Sequence, residues 1–242
     1  MHDLEDHYWW FVGRRKLALD LLAKYRPDAE TKVLDLGCGT GVVSKEMQCL
    51  GGTVGLDFSV QALDFCQERG LPRLVQGDAQ KLPFSDNKFG AITSLDVFEH
   101  LPDDENSFRE SCRVLQPGGI LVLSVPAFMS LWGPHDVALH HFRRYRRAEV
   151  KRKLEAAGFE VVRLSYSVFL LFPIVVITRL GEKLKRGPAR ASLPPVPKWL
   201  NKFLIWIQAI EAGLIVTVGN LPWGSSVVAV ARKPKSPGRP SD

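Results

Sequence analysis

The sequence is poor in cysteine and has no pattern for using it. Cys38, Cys49, Cys66 and Cys112 share no C-x-x-C spacing and join no histidine cluster. That excludes a disulfide-stapled scaffold and a zinc ribbon, and it points to a reduced, cytoplasmic compartment. No metal site is expected. The opening Met1-His-Asp-Leu-Glu-Asp6 is acidic and lacks both a basic start and an apolar stretch, so no secretory leader is expected there. The uncharged run from Leu164 to Thr178 is interrupted by Pro173, and its fifteen residues fall short of the ~20 needed to cross a bilayer. The G-x-G-x-x-G dinucleotide fingerprint is missing as well. What remains is 242 residues with 45% hydrophobic content, enough for one α/β domain with a full core.

Val33-Leu-Asp-Leu-Gly-Cys-Gly-Thr-Gly41 is the most informative stretch present. An apolar run carries an acid and ends in three alternate glycines, which predicts a strand, a tight turn and a helix start. Glycine permits positive φ and lets a ligand approach the backbone. Asp35 precedes the first glycine by two residues and would repel a pyrophosphate. A cationic ligand, bearing an ammonium and a sulfonium, suits that turn better. Asp57, about twenty residues further on, closes the next apolar run and is placed to accept from ribose hydroxyls.

Strand and helix patterns alternate along the chain. Strands are predicted at 32–36, 53–57, 74–75, 90–95, 119–125, 159–166 and 226–232, and helices at 41–50, 59–69, 104–115 and 149–157, the last closed by Gly158. This is the pattern of a doubly wound, mostly parallel seven-stranded sheet with helices on both faces. Asp35, Asp57, Asp78 and Asp96 all fall at or just after strand ends, where ligands of such sheets bind. One such acid is explained as a helix cap; four together favour a shared site.

The chain resembles the class I S-adenosylmethionine-dependent methyltransferases, in the branch that includes quinone-biosynthesis and other small-molecule enzymes. The resemblance rests on Val33–Gly41, Gly55-Leu-Asp57, Gln76-Gly-Asp-Ala79 with Leu82-Pro-Phe84, Phe89–Leu101 and Arg113–Leu121, in order, across residues 30–126. It implies a Rossmann-like fold and S-adenosyl-L-methionine as cofactor. It implies that Asp35, Gly37 and Gly39 hold the methionine end, that Asp57 takes the ribose, and that Asp78 and the Ala79 amide take the adenine. Cys38, Gly41 and Phe58 would stand against the same ligand, and Asp96 would lie on its substrate side. A general base is needed only where the acceptor must lose a proton. His100, His140 and His141 are the candidates, with His135 beside them.

Two segments exceed a minimal fold of this type. Tyr8-Trp-Trp-Phe11 opens an N-terminal helix within residues 1–26. It reads either as a cover over the site or as a helix whose rings are core. Residues 167–222 form a long insertion before the last strand. It contains the end of the uncharged run, a basic proline-rich stretch, and an apolar segment, Trp199 to Gly219, on which Gln208 and Glu211 give a polar side. Residues 140–202 hold 15 Lys/Arg against 4 Asp/Glu, a net of +11 in a chain of +6. Basic charge, apolar runs and tryptophan together suit peripheral contact with an anionic membrane, at its inner face. A helical cap or an oligomer interface suits the apolar runs equally. Nucleic acid explains the charge alone and is not expected as a partner. The tail at 233–242 is expected to be disordered.

These readings converge on methyl transfer to an apolar or lipid-like small molecule, at oxygen or carbon. The alternative is a non-catalytic S-adenosylmethionine-binding scaffold anchored through 167–222.

Overall fold

The computed structural model describes residues 2–28, 31–50, 52–184 and 195–235. Most of the basic proline-rich stretch and most of the tail lie outside them.

The chain opens with α1 (His2–Glu5) and α2 (Trp9–Tyr25). It then alternates through β1 (Val33–Leu36), α3 (Val42–Met47), β2 (Thr53–Asp57), α4 (Val60–Glu68), β3 (Leu74–Gln76) and β4 (Phe89–Leu95). There follow α5 (Asp104–Val114), β5 (Leu115–Pro126), α6 (Pro134–Ala138), α7 (Arg147–Ala156) and β6 (Glu160–Ser167). The insertion supplies α8 (Phe172–Leu184) and α9 (Lys198–Thr217), and β7 (Ser226–Arg232) ends the sheet.

All seven strands lie in one sheet of order β3-β2-β1-β4-β5-β7-β6. Pairing is parallel from β3 through β5, and β7 runs antiparallel to both its neighbours. The mostly parallel sheet, the helices and the insertion before the last strand match the sequence reading. Strand order reverses between β1 and β4, so their carboxyl ends open a crevice there, where ligands of open α/β sheets bind.

The sheet is buried on both faces, so its strands read as continuous apolar runs, such as Ile120-Leu-Val-Leu123 with every residue at 0% exposure. One core packs Leu34, Leu36, Phe89, Phe98, Phe108 and Tyr145 under α5 and α7. The other packs Leu21, Leu22, Val33, Ile120, Val122 and Ile215 under α2 and α9. Helices α2 and α9 touch because Gly13 has no side chain: a Cβ there would come within 2.7 Å of the Cβ of Gln208.

The sequence gives α9 a polar side, and the structure decides which way that side faces. Gln208 and Glu211 face the protein, at 6% and 1% exposure, while Trp199, Phe203, Trp206, Ile210 and Leu214 face outward. The cause is the chain that precedes the helix. Backbone N–H groups of Val168 and Leu170, at the end of β6, have no strand partner, and both donate to the Glu211 carboxylate. Burial raises the pKa of Glu211.

Candidate active site

The carboxyl end of β1 runs into a turn that only glycine can make at two of its positions. Gly37 has φ +73°, and a Cβ on it would stand 2.3 Å from Val97. Gly41 has φ +83°, and a Cβ on it would stand 2.5 Å from Leu71 and 2.8 Å from the Cys66 Sγ. Gly39 has φ +54° and nothing within 4 Å of its missing Cβ. Its open side faces a cavity of about 960 Å³ at the crevice between β1 and β4.

The four strand-end acids all reach that cavity, and each is held differently. Asp35 is buried, accepting from Ser44 Oγ at 2.6 Å and from Thr93 Oγ1 at 3.0 Å. Burial pushes its pKa up to about 6 against those two hydrogen bonds. Asp57 accepts from the Gly39 N–H at 2.8 Å and the Ser59 N–H at 2.9 Å, so it ties the glycine turn to the start of α4. Asp78 accepts from the Gln80 backbone N–H at 2.8 Å and from its side-chain amide, which makes it a turn former as well as a wall. Asp96, at φ +56°, accepts from Ser124 Oγ at 3.1 Å and pairs with Arg14 of α2. Cys38, Phe58 and Ala79 also line the cavity, Phe58 with 77% exposure; Gly41 underlies the turn against Leu71 and Cys66.

The N-terminal segment roofs this cavity. Tyr8, Trp9, Trp10 and Phe11 line it. Four contacts latch the roof down: Thr40 Oγ1 donates to Glu5, Arg15 pairs with Glu46 at 2.6 Å, Arg69 with Asp6 at 3.1 Å, and Arg14 with Asp96. The insertion adds Leu171, Ile174, Val175, Leu200 and Leu204 to the lining, and its α9 is tied to the roof where Asn201 Oδ1 accepts from the Trp9 N–H at 2.9 Å. The lining thus joins acids and a glycine turn to an apolar set from the roof and the insertion.

The histidines divide. His100 and His141 line the cavity, with ring centroids 4.5 Å apart and planes at 88°. His140 is exposed and stands outside it; His135 is a lining residue. His141 Nδ1 lies 3.0 Å from the buried Asp136, which leaves Nε2 as the nitrogen free to accept. Asp136 also takes Arg144 at 2.7 Å and 3.0 Å and the Gly133 N–H at 2.9 Å. These partners hold its carboxyl well below the usual range, against its burial. Glu99 reaches the same wall at 0% exposure, with both oxygens unpartnered, and burial and Asp96 raise its pKa strongly. Burial and His141 lower the pKa of His100, so its ring is neutral at neutral pH.

Sequence reasoning missed Arg14, Glu5, Glu99, Asp136 and Arg144. Only Glu99 carried a local signal, lying within the matched Phe89–Leu101 motif. The others enter through contacts with partners 35 or more residues away or, for Asp136 and Arg144, through a pair that joins the five-residue α6 to the segment before α7.

A methyltransferase domain model matches residues 34–123, the span of β1 to β5. A Mycolicibacterium smegmatis protein named a probable S-adenosylmethionine-dependent methyltransferase is 32% identical over 162 residues, 65% of this chain and 61% of that protein. A demethylmenaquinone methyltransferase from Lactiplantibacillus plantarum is 37% identical over 112 residues, 42% of this chain and 47% of the relative. The chain thus spans about half the length of the curated relatives it matches. Among solved structures, the Haloferax volcanii complex of a methyltransferase with the Trm112 methyltransferase activator aligns with TM-score 0.64 and 21% identity, covering 96% of this chain and 92% of that one. An S-adenosylmethionine-dependent methyltransferase from Thermotoga maritima aligns with TM-score 0.62 and 18% identity, covering 93% of each chain. At these identities the structural likeness is one of fold. The ordered motifs on β1 to β5, the strand order and the glycine turn agree with the sequence relatives: residues 34–123 carry a methyltransferase domain, similar to that of S-adenosylmethionine-dependent methyltransferases.

Proposed function

We propose that the protein transfers a methyl group from S-adenosyl-L-methionine to an apolar or lipid-like small molecule at the surface of an anionic membrane. The observation that carries this reading is one cavity lined both by acids with a bare glycine turn and by apolar α8/α9 side chains. The residues fit the cofactor: the space over Gly39 is a cradle that a Cβ would fill, and Asp57 lies at the end of β2 where a ribose diol is bound in such sheets. When bound, the cofactor supplies a methyl group on a positively charged sulfur. The chain's own part is to hold and exclude. Asp57 would accept from the ribose, and Asp78 with the Ala79 amide would meet the adenine. The acids around the glycine turn favour a cation, and Trp9, Trp10 and Phe11 keep water away from the reacting atoms.

The lipid-like acceptor and the membrane are supported by α9. It is the one helix among the described residues long and apolar enough to cross a bilayer, and only 28% of its most apolar stretch is buried. Its polar residues point inward, so it is fastened to the protein by Glu211 and Gln208 and lies flat against it. The outward stripe of Trp199, Phe203, Trp206, Ile210 and Leu214, flanked by Lys198 and Lys202, has the make-up of an interfacial helix. Its inner face, through Leu200 and Leu204, forms the apolar wall of the cavity.

The test is calorimetric binding of S-adenosylmethionine, followed by incubation with cell lipid extract and detection of S-adenosylhomocysteine. Binding with turnover, and a loss of affinity in Asp57→Ala, are the expected results. Binding without turnover in any extract supports the scaffold alternative, and no binding removes both.

A further inference from the structure

We propose that Glu99, His100 and His141 form a divalent-cation site in the wall of the cavity. Each offers one ligand atom, and the three atoms lie within 4.8 Å of one another. Sequence spacing did not suggest this, because His141 follows His100 by 41 residues across α5, β5 and α6. The fold joins them through one backbone bond: the Phe142 N–H donates to the Glu99 carbonyl at 2.7 Å, which sets His141 beside Glu99.

Three features of the cluster are those of a ligand set. First, the Glu99 side chain is fully buried, and neither carboxylate oxygen has a hydrogen-bond partner. A buried carboxylate without partners is costly, and a cation between it and the imidazoles removes that cost. Second, His141 is oriented as metal-bound histidines are. Its Nδ1 is turned to Asp136 at 3.0 Å, and its Nε2 is buried and unpartnered. Asp136 is itself fixed by Arg144 and the Gly133 N–H, so a carboxylate–histidine relay stands ready behind the ligand atom. Third, the His100 ring stands edge-on to the His141 ring with centroids 4.5 Å apart, which brings its ligand nitrogen to the other two ligand atoms.

Two imidazoles and one carboxylate suit a borderline transition cation such as Zn²⁺, Mn²⁺ or Co²⁺ in preference to Mg²⁺, which favours oxygen ligands. Three protein ligands leave coordination positions open toward the cavity. The cation would there bind an oxygen of the acceptor; that use rests on the methyl-transfer reading, whereas the binding of the cation does not.

The experiment uses the full chain, stripped with chelator and titrated with Zn²⁺, Co²⁺ and Mg²⁺ separately, without donor or acceptor. One equivalent of Zn²⁺ or Co²⁺ is expected to bind, with a visible Co²⁺ absorption band from nitrogen coordination, and Mg²⁺ at least tenfold more weakly. Glu99→Gln and His141→Ala should each weaken Zn²⁺ binding at least tenfold. Asp136→Asn, acting through His141, should weaken it roughly 10–100-fold. Glu99→Gln removes a carboxylate that has no partner, so it should fold, and an unchanged affinity for S-adenosylmethionine checks that it has. No Zn²⁺ or Co²⁺ binding by wild type, or equal binding by wild type and Glu99→Gln, overturns the site. Loss of metal binding with intact S-adenosylmethionine binding and turnover would leave the methyl-transfer reading standing, so the two proposals fail separately.

Discussion

Arg14 of α2 forms an ion pair with Asp96 at the carboxyl end of β4, so the first long helix is fastened to the middle of the sheet across the mouth of the cavity. Both side chains are about one fifth exposed. Arg14 also stacks over the Phe11 ring at 5.5 Å. The pair joins the cover to the wall that carries Glu99 and His100.

Cutting this link should loosen the cover without unfolding the domain. Partly buried charged hydrogen bonds are worth ~1–2 kcal/mol net, so Arg14→Ala is expected to weaken S-adenosylmethionine binding by roughly tenfold. Amide exchange in α1 and α2 should quicken while β1, β4 and β5 keep their protection. In a double-mutant cycle with Asp96→Ala, the two losses should fall short of additive. Additive losses would show that the pair does not hold the cover.

The three glycines of the turn should respond differently to alanine. Gly37→Ala must displace Val97 and also adopt positive φ, and should lose ~2–4 kcal/mol of stability. Gly39→Ala meets no atom within 4 Å, so its stability cost is only the ~1 kcal/mol of a left-handed alanine. Its methyl group enters the cofactor cradle, however, and binding should fall by more than tenfold. Thermal melts and calorimetry on the two variants separate these effects. A Gly39→Ala protein that binds S-adenosylmethionine normally would move the cofactor away from this turn.

Asp35 should make the fold less stable as pH rises. Its pKa is raised from 3.8 in the free side chain to about 6 by burial, so the folded chain holds a proton that the unfolded chain has released. Stability therefore falls as pH climbs from about 4 to about 6, by ~3 kcal/mol for a shift of this size. Glu99 and Glu211, also raised, act in the same direction; His100, lowered, acts oppositely as pH rises toward 6.5. Asparagine at 35 can still accept from one of Ser44 and Thr93. Urea midpoints at pH 4.5 and 7.5 should then drop less in Asp35→Asn than in wild type. Equal drops would show that Asp35 keeps an ordinary pKa.

The strands and the glycine turn were legible because their causes are local. A fully buried strand must be apolar along its length, and a positive-φ turn under a ligand must be glycine, so Val33–Gly41 announces both. The helix after it was read as 41–50 and is α3 with a 3-10 turn at Gln48–Leu50. The sequence predicts the fifth strand from 119, and it begins at Leu115, because Leu115 pairs with Phe89 ahead of a bulge that carries Gly118 at φ +82°. What sequence could not carry was which face of a helix meets the protein. Periodicity gave α9 a polar side, but only the free N–H groups of Val168 and Leu170 decide that this side turns inward. Likewise, adjacent His140 and His141 are equivalent as residue types, and the buried Asp136 selects the second.

The outward face of α9 supplies the last prediction. Trp199, Phe203 and Trp206 are 71%, 49% and 59% exposed, with Phe203 and Trp206 stacked at 5.9 Å. Replacing all three by serine removes apolar area that is about half or more exposed, so stability should fall by only ~1–2 kcal/mol. Buried apolar area drives insertion of such a helix into the acyl boundary, and basic residues add attraction to anionic headgroups that salt screens. Wild type is therefore expected to float with vesicles containing phosphatidylserine, more weakly with neutral vesicles, and less in high salt. The triple variant should stay in solution in all cases. Flotation of the variant equal to wild type would locate membrane binding elsewhere in the chain. Absence of flotation by wild type would leave α9 as the wall of the acceptor cavity alone.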